Sequence, residues 1–181
     1  MTATADSEPA IEDLESADDD STTIRRVLWF AGIIAVLLLV RAFVVEPVRV
    51  RSDSMAPTVP PGAVLLIDKM TLHFRDARRG ELVVAADPRT GHSIVKRVVA
   101  IGGDSVGIED GHLVVNGALI TESEIDNSNM DGFYFGPNRV PPGYVFLLGD
   151  NRDTSEDSRA FGPVAVDDID GRVLSVVWPL G

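Results

Sequence analysis

The chain has no cysteine among its 181 residues, which excludes thiol catalysis, disulfides and thiolate metal sites. It does not fix a compartment, because a disulfide-free domain folds on either side of a membrane. Histidine is scarce: His73, His92 and His112 are far apart and lack ligand spacing, so no metal centre is expected. A basic face is missing too, since the formal charge is -12 and nothing clusters cations against phosphates, so no nucleic-acid partner is expected. The acidity is uneven. Residues 1–23 hold eight acids (Asp6, Glu8, Glu12, Asp13, Glu15, Asp18, Asp19, Asp20) and no Lys or Arg, leaving twenty acids against sixteen cations in the remainder. That tail has only Ile11 and Leu14 as aliphatics larger than Ala beyond its first Met, too few to offset ordering, so it is expected to be disordered.

What is present in quantity is one apolar run. Arg25 and Arg26 precede "VLWFAGIIAVLLLV", followed by Arg41 and "AFVV", so residues 27–45 offer 19 positions with a single charge near the end, where an Arg can snorkel. A cleaved secretory signal would have a small-x-small site after its core, and "RAFVVEP" has none. Residues 24–45 are therefore read as a transmembrane anchor. Its orientation stays open on charge alone, because Arg41, Arg49 and Arg51 follow the run as Arg25 and Arg26 precede it.

From Glu46-Pro47 onward the pattern changes to short β-rich runs broken by Gly, Pro and Asp: "AVLLID", "ELVVAA", "SIVKRVVAI", "SVGI", "HLVV", "ALI", "YVFLLGD" and "VLSVVW". These predict a mostly β domain, an antiparallel sheet or barrel over residues 46–181. Asn116-Gly117 between apolar runs signals a hairpin, and a small accessory β-region is expected at about residues 104–143. The polar stretch "TESEIDNSNMDGFYFGPNRVPPG" reads as a long loop. Within it "NSNMDG" imitates a calcium loop, but its twelfth position is Asn138 instead of a bidentate Glu. "IGGDSVG" lacks nucleotide-loop spacing.

Lysine is the most informative scarcity. Of sixteen cations only Lys69 and Lys96 are lysine. A guanidinium keeps its proton in a protein, whereas a desolvated ammonium can lose it, so a proton-abstracting site requires lysine where surface charge does not. Strand alternation in "SIVKRVVAI" sets Lys96 on the face of Ile94, Val98 and Ala100 and turns Arg97 the other way. An apolar face lowers the amine's pKa. On the residues alone, a snorkelling edge-strand lysine is an equal reading. The partner nucleophile must be a hydroxyl, and "RSDSMAPTV" offers Ser52, Ser54 and Thr58, which are equally compatible with a solvated turn.

Taken together, "SDSMAPTV", "PGAVLLIDK", "KRVVAIGGD" and "GDNRDTSEDSRAFGPV", in this order after an N-terminal anchor, resemble the boxes of bacterial type I signal peptidases over residues 24–181. The resemblance implies a membrane-bound serine endopeptidase that cleaves signal peptides from exported preproteins by a Ser-Lys dyad, with no metal or cofactor. It implies Ser54 as nucleophile, Lys96 as general base, and Ser52 with the Ser54 amide as oxyanion hole. It implies Ser155 as the hydroxyl that orients the lysine, Asp157 with Arg159 as a supporting pair, and Asp150 as partner of Arg97. Val48, Val50, Met55, Val59, Ile94 and Val95 match pocket positions suited to Ala-x-Ala. Partners implied are signal peptides, membrane lipid and a nearby secretion translocon. The implied location is the plasma membrane, single-pass, with the tail cytoplasmic and the catalytic domain outside.

Two positions depart from the family pattern: Gly62-Ala63 stands where Gly-Asp is usual, and Val59 replaces a common Leu. Both lie outside the dyad. Ser54 follows Glu46 by eight residues, an extended reach of at most about 26 to 29 Å, so its hydroxyl is tethered near the bilayer.

Overall fold

The computed structural model describes residues 12–122, 125 and 130–178. The chain divides into two compact units, Met1–Ala42 and Phe43–Gly181.

The first unit is a single helix, α1 (Glu12–Phe43). Acidic residues crowd its N-terminal turns and Arg41 lies in its last turn, the order that a helix dipole favours. Within it, Thr22–Arg41 is long and apolar enough to cross a membrane, with mean hydropathy 2.0. Its large apolar side chains, Leu28, Trp29, Phe30 and Leu37 among them, are exposed around the helix, as expected of a segment solvated by lipid. The helix takes in residues 12–23 of the expected tail, where Leu, Ala and Glu favour helix and the acids sit at its favourable end. Residues 1–11 of the expected tail lie outside the described residues. The anchor helix stops at Phe43, because Val44 accepts from the Lys69 amide at 3.0 Å and Val45 already pairs with Asp68.

The second unit is built from two antiparallel sheets. β1 (Val45–Arg49), β2 (Val64–Asp68), β3 (Leu82–Ala86), β4 (Ser93–Ile101), β9 (Tyr144–Leu148), β10 (Val164–Ala165) and β11 (Ile169–Trp178) form one sheet in the order β1-β2-β11-β3-β4-β9-β10. β5 (Ser105–Glu109), β6 (His112–Val115), β7 (Ala118–Leu119) and β8 (Phe135–Arg139) form the other, in the order β7-β6-β5-β8. The mostly β, antiparallel architecture and the accessory β-region are thus as the sequence predicts. Strand β8 was not expected. It carries Pro137, which cannot donate to a ladder, but it lies at a sheet edge, where a missing donor costs little. The described residues of the unit also hold two short α-helices, α2 (Thr71–Phe74) and α3 (Ser158–Phe161), and a 3-10 turn at Val166–Asp168.

Three apolar clusters hold these layers. One joins Val99, Ala100, Phe146 and Leu148 to Val106, Ile108, Leu113 and Val115, and so packs the small sheet on the large one. A second gathers Val83, Ala85, Val98 and Leu147. The third gathers Val50, Met55, Val59, Ala63, Leu65, Ile67 and Val84 beneath the β1–β2 connection.

Candidate active site

Ser54 lies in the connection between β1 and β2. The neck of this loop is closed by two backbone bonds, from the Val50 amide to Ala63 and from the Gly62 amide to Val50, at 2.8 and 2.9 Å. Gly62, at φ 87°, supplies the left-handed turn that the closure requires. Inside the loop, Ala56 donates to Asp53 and Val59 to Met55, and the wholly buried Met55 and Val59 pin it to the core. Ser54 is buried at 9% exposure with its hydroxyl 3.2 Å from that of Ser52, which is exposed. Thr58 lies on the same loop with its hydroxyl buried and unpartnered among the described residues.

Lys96 lies in the middle of β4, a strand rich in β-branched residues, opposite Val83 on β3. Only 3% of it is exposed. Its amine donates to the Ser155 hydroxyl at 3.0 Å, and among the described residues no carboxylate forms a salt bridge with it. Burial pushes the Lys96 amine below the usual lysine range; Asp157, Asp87 and Asp150 pull it back up and Arg159 adds to the depression. The expected face is corrected at one position. Ile94 and Val98 share the Lys96 face, but a register shift between Val98 and Ala100 turns Ala100 into the cluster beneath the small sheet.

The third segment is the loop from β9 to α3, residues 149–157. Asp157 has no exposed surface and caps α3, accepting from the Arg159 amide at 3.1 Å and from its Nε and Nη2 at 2.8 Å each. Its other oxygen also receives the Gly149 amide at 3.1 Å, and Arg159 Nη2 reaches the Ser155 carbonyl at 3.2 Å. Asp150, equally buried, holds Arg97 through Nε at 2.8 Å and Nη2 at 2.6 Å. Both expected acid–Arg pairs are therefore formed.

Gly149 joins the three segments. A Cβ there would lie 2.1 Å from Ser155 Oγ and 2.5 Å from the Ser54 carbonyl oxygen. The acceptor of the Lys96 amine and the Ser54 backbone thus press on the same point, and only glycine leaves them room. The Ser54 carbonyl is fixed there by the Asn151 amide at 3.0 Å. Sequence reasoning missed Gly149, Asn151 and Arg152, although all three stand in the "GDNRD" run, because Gly149 and Asn151 act through backbone contacts to the Ser54 loop and Arg152 through a side-chain pair with the distant Glu122.

The expected pocket residues divide. Val48, Val50, Met55, Val59 and Val95 belong to one cluster. Ile94 lies on the opposite face of β4, beside Lys96 and paired with Ala85. Met55, Val59 and Val50 are buried, at 0, 0 and 4% exposure. Only Val48, Ile94 and Val95 keep partial exposure.

The Ser54 carbonyl and the Ser155 hydroxyl, which accepts from the desolvated Lys96 amine, thus meet at one glycine. In comparison with known proteins, residues 23–178 match the family model described as signal peptidase, peptidase S26. The chain belongs to the signal peptidase family. It is 34% identical over 167 residues to signal peptidase I of Bacillus caldolyticus, covering 86% of this chain and 91% of that protein. To signal peptidase I of Leptolyngbya laminosa it is 32% identical over 158 residues, covering 82% of this chain and 77% of that one. A crystal structure of a signal peptidase I from Enterococcus faecalis superposes with a TM-score of 0.49 at 28% identity, covering 56% of this chain and 98% of that one. As a signal peptidase I the chain is a serine peptidase whose substrates are signal peptides, and its N-terminal apolar helix is consistent with membrane anchoring.

Proposed function

We propose that the chain is a single-pass membrane endopeptidase that cuts exported preproteins after Ala-x-Ala, with Ser54 as nucleophile and Lys96 as general base. The observation that carries this reading is the Lys96 amine, 3% exposed and given to a hydroxyl acceptor, a setting that favours the uncharged form. The neutral amine takes the Ser54 proton as Oγ attacks the scissile carbonyl. The ammonium so formed passes that proton to the departing amine, leaving an acyl-enzyme on Ser54. Water then attacks the ester; Lys96 takes a proton from it and returns one to Ser54 as the carboxyl product leaves.

The oxyanion takes hydrogen bonds from the Ser54 amide and the Ser52 hydroxyl, for which the 3.2 Å contact between the two serines gives support. Losing one such donor typically costs about 2.7 to 4 kcal/mol in the transition state. Ser155 orients the amine, and Asp157 with Arg159 and Asp150 with Arg97 hold the surrounding loop. Small residues are selected by Val48, Ile94 and Val95, whose branched walls exclude bulk by sterics and polar groups by desolvation.

In this reading α1 spans the plasma membrane with its start cytoplasmic and residues 44–181 outside, close to lipid and to the secretion translocon. Full-length protein in detergent micelles, incubated with a preprotein bearing Ala-x-Ala, is expected to release the mature chain, with product sequencing locating the cut. Ser54→Ala and Lys96→Ala are each expected to abolish release. Cleavage persisting in both variants would overturn the dyad.

A further inference from the structure

The Ser155–Lys96 contact is held from outside the loop that carries Ser155. Arg152, on that loop, is one of the largest wholly buried side chains, with 1% of its side chain exposed. Its Nε donates to the Gly149 carbonyl at 3.0 Å, and its Nη1 and Nη2 donate to the two carboxylate oxygens of Glu122 at 2.7 and 2.6 Å. Glu122 opens the excursion that leaves β7 and returns at β8. Near the other end of that excursion, the Phe133 ring lies under the Arg159 guanidinium, 5.8 Å from its centroid. Arg159 in turn holds Asp157 and the Ser155 carbonyl.

We propose that Glu122 and Phe133, on the connection between β7 and β8, are positioning residues for the reaction that clamp Arg152 and Arg159 so that Ser155 meets Lys96. The inference rests on the Ser-Lys reading above. Its physical basis is that two clamps, of different chemistry and eleven residues apart in sequence, end on two arginines that flank Ser155, Arg152 in its loop and Arg159 in α3. A bidentate pair fixes the Arg152 plane, and through Nε it fixes the Gly149 carbonyl. A shift of Gly149 moves Ser155 directly, because a Cβ at that position would lie 2.1 Å from the Ser155 hydroxyl. The Phe133 ring covers one face of a guanidinium whose edges are taken by Asp157 and Ser155. Neither Glu122 nor Phe133 need touch substrate for the site to depend on them.

The test is steady-state cleavage of a preprotein by the full chain in detergent micelles, below the Tm of every variant. Glu122→Gln should lower kcat by about tenfold with KM held within about twofold, and Phe133→Leu should lower kcat by about threefold. Phe133→Tyr keeps the ring and should behave as wild type. In a Ser155→Ala background neither substitution should lower kcat further, since the route through Ser155 is already cut. A lowered Tm with unchanged kcat, or losses that multiply fully with Ser155→Ala, would overturn the clamp. Should Glu122→Gln fail to fold, the comparison of Phe133→Leu with Phe133→Tyr decides, because a ring 38% exposed tolerates both changes. Lys96→Ala serves as control: activity persisting there defeats the dyad reading beneath the proposal, whereas an inactive control beside unaltered Glu122→Gln and Phe133→Leu defeats the clamp alone.

Discussion

At the scale of residues, the proposed mechanism reduces to where one proton sits. Burial disfavours the Lys96 ammonium, so the acid limb of kcat/KM should have an apparent pKa below the ordinary lysine value of about 10.4. Activity is accordingly expected to rise with pH through that limb, the direction in which the base loses its proton. Gly149 gives a sharper steric test. Gly149→Ala sets a methyl 2.1 Å from Ser155 Oγ and 2.5 Å from the Ser54 carbonyl, so kcat should fall by about 10²-fold or more. An unaltered kcat in that variant would show that Ser54 and Ser155 have more freedom than the packing implies. The buried setting of Lys96 was legible in sequence because strand alternation puts it on the face of Ile94 and Val98. The contact between Ser54 and the Ser155 loop was not, since it joins residues about a hundred apart through one glycine.

At the scale of elements, the β pattern was readable wherever β-branched runs were uninterrupted, as in β4 and β9. It failed at β8, where Gly136 and Pro137 mask an edge strand, and at Ala100, where a bulge breaks the alternation. Buried charge ties these elements together. Asp150 anchors β4 through Arg97 with its side chain fully buried, so Asp150→Ala should cost about 3 to 5 kcal/mol by removing the buried carboxylate that balances the Arg97 charge, measured by denaturant unfolding. Asp68 ties β2 to β11 through Arg172. Burial works to raise its carboxyl, but the Thr71 hydroxyl, the amides of Thr71 and Met70, and Arg172 outweigh it and bring it to about 2. Because the folded value lies below the unfolded one of about 3.9, its stabilisation is present above that pH and is lost as pH falls towards 2. At most about 3 kcal/mol of acid-labile stability should therefore disappear in Asp68→Asn, seen as a flatter stability profile between those pH values. A profile unchanged by the substitution would contradict the assignment.

At the scale of the whole molecule, the apolar helix and the β unit are separate in composition and in structure, dividing at Ala42 and Phe43. In the proposed reading the chemistry belongs to the second unit and the address to the first. A long flexible Gly/Ser linker inserted between Phe43 and Val44 should leave kcat/KM on a short soluble peptide unchanged. On a membrane-embedded preprotein it should lower kcat/KM severalfold, because a longer tether dilutes the site relative to the bilayer surface. Equal losses on both substrates would mean that the linker had damaged the site itself.

The account as a whole depends on an uncharged amine, and the chain's two lysines allow it to be observed directly. Protein labelled with 15N at lysine Nζ, carrying Lys69→Arg, retains Lys96 as its one side-chain amine. Its resonance is predicted to titrate well below about 10.4, with a midpoint that coincides with the acid limb of kcat/KM. A midpoint at or above the ordinary lysine value, in protein that is still active, would contradict the role of Lys96 as the base.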